Sequence, residues 1–117
     1  MTSIQLQFQD CQPCRKSDLP LTLTQAKEYQ IQVKEWSIDE RAENMRLVRR
    51  FDLLNSKSAS EFVRIVEWQA DRQNHHAKII VNGNSIQIEW WTHVLHGLHE
   101  NDFIMAAKTD EVFLDFM

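Results

Sequence analysis

Lys78-Ile79-Ile80-Val81-Asn82-Gly83-Asn84-Ser85-Ile86-Gln87-Ile88-Glu89-Trp90-Trp91-Thr92-His93 is the stretch on which the fold turns. After Lys78, residues 79–81 are apolar and β-branched, which suits a strand. Asn82-Gly83-Asn84 then reads as a tight hairpin turn, because glycine reaches the positive φ such turns need. Residues 85–92 alternate. Ile86, Ile88 and Trp90 share one face of the returning strand, while Gln87, Glu89, Trp91 and His93 share the other. One face of this hairpin must therefore be core, and His93 leaves the strand end away from it.

Working outward, Ser58-Ala59-Ser60-Glu61 matches a capping box and predicts a helix reaching about Asn74. Ala59, Phe62, Val63, Val66 and Ala70 recur at helical spacing and form its core face. Ile65 and Trp68 fall outside that stripe, and a second apolar strip points to a partner such as another subunit. Before this helix, residues 44–53 alternate again. Met45, Leu47, Phe51 and Leu53 face one way, and Asn44, Arg46, Arg50 and Asp52 the other, with Arg49 breaking the apolar face. Trp36 and Ile38 alternate around Ser37 and predict a brief strand, joined to the next by a polar hairpin connection at residues 39–43. Thr22-Leu23-Thr24-Gln25 is an earlier capping box, opening a helix over residues 23–33 along Leu23, Ala26, Gln30 and Val33. At the far end a last helix runs from Glu100 to near Met117, with Phe103, Ala106, Ala107 and Leu114 inward. The order is α-β-β-α-β-β-α. It predicts a two-layer α+β domain over residues 22–117, a four-stranded antiparallel sheet with helices packed on one face. Residues 1–21, with Pro13 and Pro20, read as an irregular N-terminal segment.

At 117 residues the chain suits one domain that buries roughly two-thirds of its unfolded surface. The formal charge of −4 and the lack of a concentrated basic face argue against nucleic acid as the main partner. Arg46, Arg49 and Arg50 are the densest basic group, and alternation puts Arg49 on the opposite sheet face from the other two. No apolar run approaches the ~20 residues that span a membrane, and no basic-then-apolar leader opens the chain. A cytoplasmic location is the expectation. Cys11-Gln12-Pro13-Cys14 leaves three readings open: half of a zinc site, a redox pair, or two reduced thiols.

Chemistry concentrates in Asp71-Arg72-Gln73-Asn74-His75-His76, joined by His93. Histidine is the side chain that exchanges protons nearest neutrality. Asp71 and His75 are four apart, so a continuous helix would bring them together, and the carboxylate would fix the imidazole tautomer. His76 points about 100° further round, and the pair flanks a space that His93 would complete from the sheet. Trp36, Trp90 or Trp91 would supply a wall for a small flat heterocycle. The competing view is a solvated helix end, where histidine favours the C-terminal dipole. His93, His96 and His99 recur every third residue and hint at metal, but Gly97 interrupts any helix there, and no metal is assigned.

With these residues in place the chain resembles the pterin-4a-carbinolamine dehydratases. Asp71, His75, His76 and Ala77 open that family's signature, His93 stands at its third histidine, and Asp102 at its final aspartate. Cys11-Gln12-Pro13-Cys14 with Leu21-Thr22, Lys34-Glu35-Trp36, Gly97-Leu98 and Glu100-Asn101-Asp102-Phe103 extend the match over most of the chain. Ala77 replaces the usual proline, and Gly83 falls at an aromatic position, leaving a wall to Trp91. His99 replaces a Ser or Thr helix cap, a change expected to cost ~1 kcal/mol. The resemblance implies dehydration of a 4a-hydroxytetrahydropterin to the quinonoid dihydropterin, with no cofactor. His75 and His93 would be the acid–base pair, His76 would hold the pterin, and Asp71 would orient His75. Trp36 and Trp91 would contact the ring, and Asp102 would cap a helix. It also implies a homodimer or homotetramer. The alternative it carries is a non-catalytic binding protein, an assembly chaperone for Rubisco or a transcription-factor dimerisation partner.

Overall fold

A computed structural model describes residues 5–15, 17–40 and 44–117. The chain runs through α1 (Leu23–Gln30), β1 (Ser37–Asp39), β2 (Arg46–Asp52), α2 (Ser56–Gln73), β3 (Lys78–Asn82), β4 (Ser85–Trp90) and α3 (Glu100–Leu114), with 3-10 turns at Leu6–Phe8 and His93–Leu95. The strands form one antiparallel sheet in the order β1-β2-β4-β3. This is the two-layer α+β arrangement expected. Residues 41–43 of the anticipated hairpin connection lie outside the described residues.

The hairpin turns at Gly83, whose φ of +63° meets the requirement read from the sequence. Leu47, Phe51, Ile86, Ile88 and Trp90 form the buried face of the sheet, on which α2 lays Ala59, Phe62, Val66 and Ala70. α3 is the most enclosed helix, with every residue from Asn101 to Ala107 buried. Arg49 breaks the apolar alternation for a reason the pattern could not show. Its guanidinium meets the Asp110 carboxylate of α3 at 2.6 Å and lies over the Phe51 ring. Burial raises the Asp110 pKa, against the lowering influence of Trp36 and Arg49.

Four expectations change. α1 stops at Gln30 rather than Val33, where single turns such as Val33 N–H to Gln30 O take over, although Val33 is buried. α2 starts earlier than the Ser58 box predicted, because Asn55 is an equally good cap and Oδ1 accepts the Ser58 N–H. Leu114 points outward, being 57% exposed; Phe113 and Phe116 take its place against Phe62. The α3 cap is not lost with His99. His99 Nδ1 accepts the Asn101 N–H at 3.0 Å, while the Asp102 carboxylate accepts the His99 N–H at 2.9 Å. An unprotonated ring nitrogen thus does the work of a hydroxyl oxygen.

Candidate active site

A cleft of about 850 Å³ opens where the C-terminal end of α2, the N-terminal turn of α3, the His93–Leu95 turn and residues 10–14 meet. His75, His76 and His93 all line it, so folding gathers the three imidazoles the sequence singled out. Each arrives by a different local device.

α2 closes on Asn74, which takes the left-handed conformation (φ 52°) that asparagine tolerates better than most residues. The His75 N–H reaches back to the Ala70 carbonyl at 3.0 Å, the six-residue closure that terminates helices. This reversal redirects both histidines. The rule that partners i and i+4 holds only while the backbone stays helical, and here it does not. Asp71 therefore does not orient His75, contrary to the sequence expectation. It meets His76 instead, with Oδ1 2.9 Å from Nε2. His75 swings toward α3, where its Nε2 lies 2.6 Å from Asp102 Oδ1. Its ring also lies flat against Trp90, at 5.7 Å and 11°.

Asp102 does more than cap a helix. It is fully buried, and besides His75 it accepts the Thr92 hydroxyl at 2.8 Å and the His99 N–H. One carboxylate thereby joins α2, the end of the sheet and α3. A carboxylate can only accept, so His75 Nε2 carries a proton and the neutral ring leaves Nδ1 as its basic nitrogen. His93 sits in a turn pinned by the Thr92–Gly97 bridge, with the Thr92 N–H 2.8 Å from the Gly97 oxygen. The ring is exposed and rests against Trp91, at 4.5 Å. The Arg46 guanidinium covers the same indole at 3.9 Å and is itself held by Glu89 at 3.0 Å.

The two expected ring contacts fare differently from the histidines. Trp36 is 1% exposed and belongs to the core, its indole N–H donating to Asp110 at 2.8 Å, so it forms no wall of the cleft. Trp91 is also buried and lies behind His93 rather than along the cleft lining. The lining that pattern reading missed is Thr92, Asn101, Gln73 and residues 10–14. Neither cysteine is in a disulfide. Burial, then the charge of Asp102, pushes the Cys11 thiol up to about 12 and raises that of Cys14. Among the described residues, no three His, Cys, Asp or Glu side chains form a group able to hold a metal, and His93, His96 and His99 do not converge as one.

Comparison with known proteins places this geometry in context. The family model described as pterin 4 alpha carbinolamine dehydratase matches residues 19–112. A protein of Chlorobium luteolum provisionally named pterin-4-alpha-carbinolamine dehydratase is 39% identical over 103 residues, covering 88% of this chain and 90% of that one. One of the same provisional name from Microcystis aeruginosa is 32% identical over 109 residues, covering 93% and 94%. The crystal structure of a transcriptional coactivator/pterin dehydratase from Brucella melitensis superposes with a TM-score of 0.74 at 22% identity, covering 80% of this chain and 97% of that one. That last likeness is one of fold.

Proposed function

Because the chain belongs to the pterin-4a-carbinolamine dehydratase family, we propose that it removes water from a 4a-hydroxytetrahydropterin to give the quinonoid dihydropterin. The observation that carries this is the convergence of His75, His76 and His93 on one cleft, with His75 held by a buried carboxylate. In the reaction the C4a–O bond breaks, the N5 proton leaves and a C4a=N5 double bond forms, with no net oxidation. Two proton transfers suffice, and two imidazoles can supply both.

His75 Nδ1 takes the N5 proton. The ring that accepts it is already oriented by Asp102 and Trp90, so the imidazolium forms beside a fixed negative charge. His93 protonates the leaving hydroxyl from the exposed side of the cleft, where the water can escape. His76, paired with Asp71, holds the pterin. Ile65 and the half-exposed Trp68 on α2 support assembly into dimers or tetramers through that helix.

Stopped-flow dehydration of a 4a-hydroxytetrahydropterin tests this directly. His75→Ala and His93→Ala should each slow turnover by roughly 10²–10⁴-fold, the range of general acid–base catalysis. Unchanged turnover in both would remove the proposal. The half-exposed Trp68 also favours the second reading, a protein-binding role on the same scaffold. A stable protein partner together with no pterin binding by calorimetry would establish that role instead.

A further inference from the structure

The Cys-Gln-Pro-Cys segment has no part in the proton transfers, yet residues 10–14 line the same cleft as the three histidines. They form neither helix nor strand. Two side chains at helix ends hold them. From the last turn of α2, Gln73 Oε1 accepts the Cys11 N–H at 2.7 Å, and its amide donates to Asp10 Oδ1 at 3.0 Å. From the first turn of α3, Asn101 Oδ1 accepts the Gln12 N–H at 2.9 Å. Asn101 Nδ2 donates to the Gln12 carbonyl at 2.6 Å and lies 3.3 Å from Cys14 Sγ.

Asn101 is 3% exposed. A buried primary amide is costly unless its donors and acceptor are met, and here residues 10–14 meet them. Its chain neighbour is Asp102, the carboxylate that holds His75. Consecutive residues of one helical turn thus fix the proposed base and this loop.

We propose that Asn101 is a positioning residue that fixes residues 10–14 as the cleft wall against which the pterin ring is held. This rests on the dehydratase reading for the identity of the ligand, not for the role of Asn101. The raised pKa values keep both thiols of the wall protonated near neutrality, which gives them no nucleophilic part in the dehydration.

Asn101→Asp tests it. The change is isosteric but turns the Nδ2 donor into an acceptor facing the Gln12 carbonyl. The expected results are a KM for the 4a-hydroxytetrahydropterin raised about tenfold with kcat little changed, and modification of Cys11 and Cys14 by an aromatic disulfide reagent about tenfold faster. Gln73→Ala loosens the same loop from α2 and should move both readouts the same way, less far. It decides the matter if Asn101→Asp fails to fold. A saturating tetrahydropterin should protect the thiols in the unmodified protein. Thiol rates equal to the parent in both variants would overturn the proposal, as would turnover with no protection. Absence of turnover in the parent would overturn the dehydratase reading alone, because thiol rates without ligand still report on Asn101.

Discussion

His75 with Asp102 and His76 with Asp71 are the same chemical pair, built on adjacent histidines, in opposite surroundings. The first pair is 12% and 0% exposed; the second is 65% and 73% exposed. The first is also one strand of a network, since Asp102 binds Thr92 and His99 as well. The second stands alone in water, where an ion pair contributes ~0–1 kcal/mol. Proximity in sequence produced the weak pair and tertiary packing produced the strong one. The lesson is that a carboxylate orients a histidine usefully only where water cannot compete for either.

Asp102→Asn should break the comparison most sharply. Removing a buried acceptor of three hydrogen bonds should cost about 2–3 kcal/mol. Thermal unfolding should then fall by about 10 °C. Dehydration should slow by about 10²-fold as His75 loses its fixed tautomer. If calorimetry and kinetics both stay at parental values, burial is not what distinguishes the pairs.

A third pair at the same helix end lies between the extremes. The Tyr29 hydroxyl donates to Glu100 Oε2 at 2.6 Å, and that bond, then burial, pushes the phenol up from 10.0 to about 12. A raised pKa in an acid means the folded state holds the proton more tightly. The stabilisation is therefore complete below pH 10 and is lost as pH climbs toward 12. Tyr29→Phe should be less stable by about 1 kcal/mol at pH 7. Urea titrations at rising pH should show the gap to the parent closing over that window.

Asp71→Asn should give the smallest effect, within about 0.5 kcal/mol in stability. Turnover should stay within about threefold, and 0.5 M salt should erase the remaining difference. A large loss of activity there would show that His76, not His75, is the histidine whose orientation matters.

Much of this was legible in the chain itself. Alternation in residues 44–53 and 85–92, the Gly83 turn and the helical stripe of Ala59, Phe62, Val66 and Ala70 carry the architecture, because burying one face of each element depends only on local periodicity. The three histidines were legible as residue types at a spacing. Asn74 was the available signal that the pairing of Asp71 with His75 would fail, since asparagine marks left-handed helix ends. Trp36 was read as a ring contact and is core instead; its alternation with Ile38 was the available signal.

The sequence by itself therefore determined the elements, the inward faces of the sheet and of α2, and the set of imidazoles, all of which follow from contacts within about a helical turn or a strand pair. Only the tertiary structure decided which carboxylate serves which imidazole, that Asp102 is partner as well as cap, and that residues 10–14 close the cleft. Those depend on contacts such as His75 to Asp102, 27 residues apart, and Gln12 to Asn101, 89 apart. No local pattern encodes such separations, because they exist only once the sheet has brought α2, α3 and the N-terminal segment to one edge.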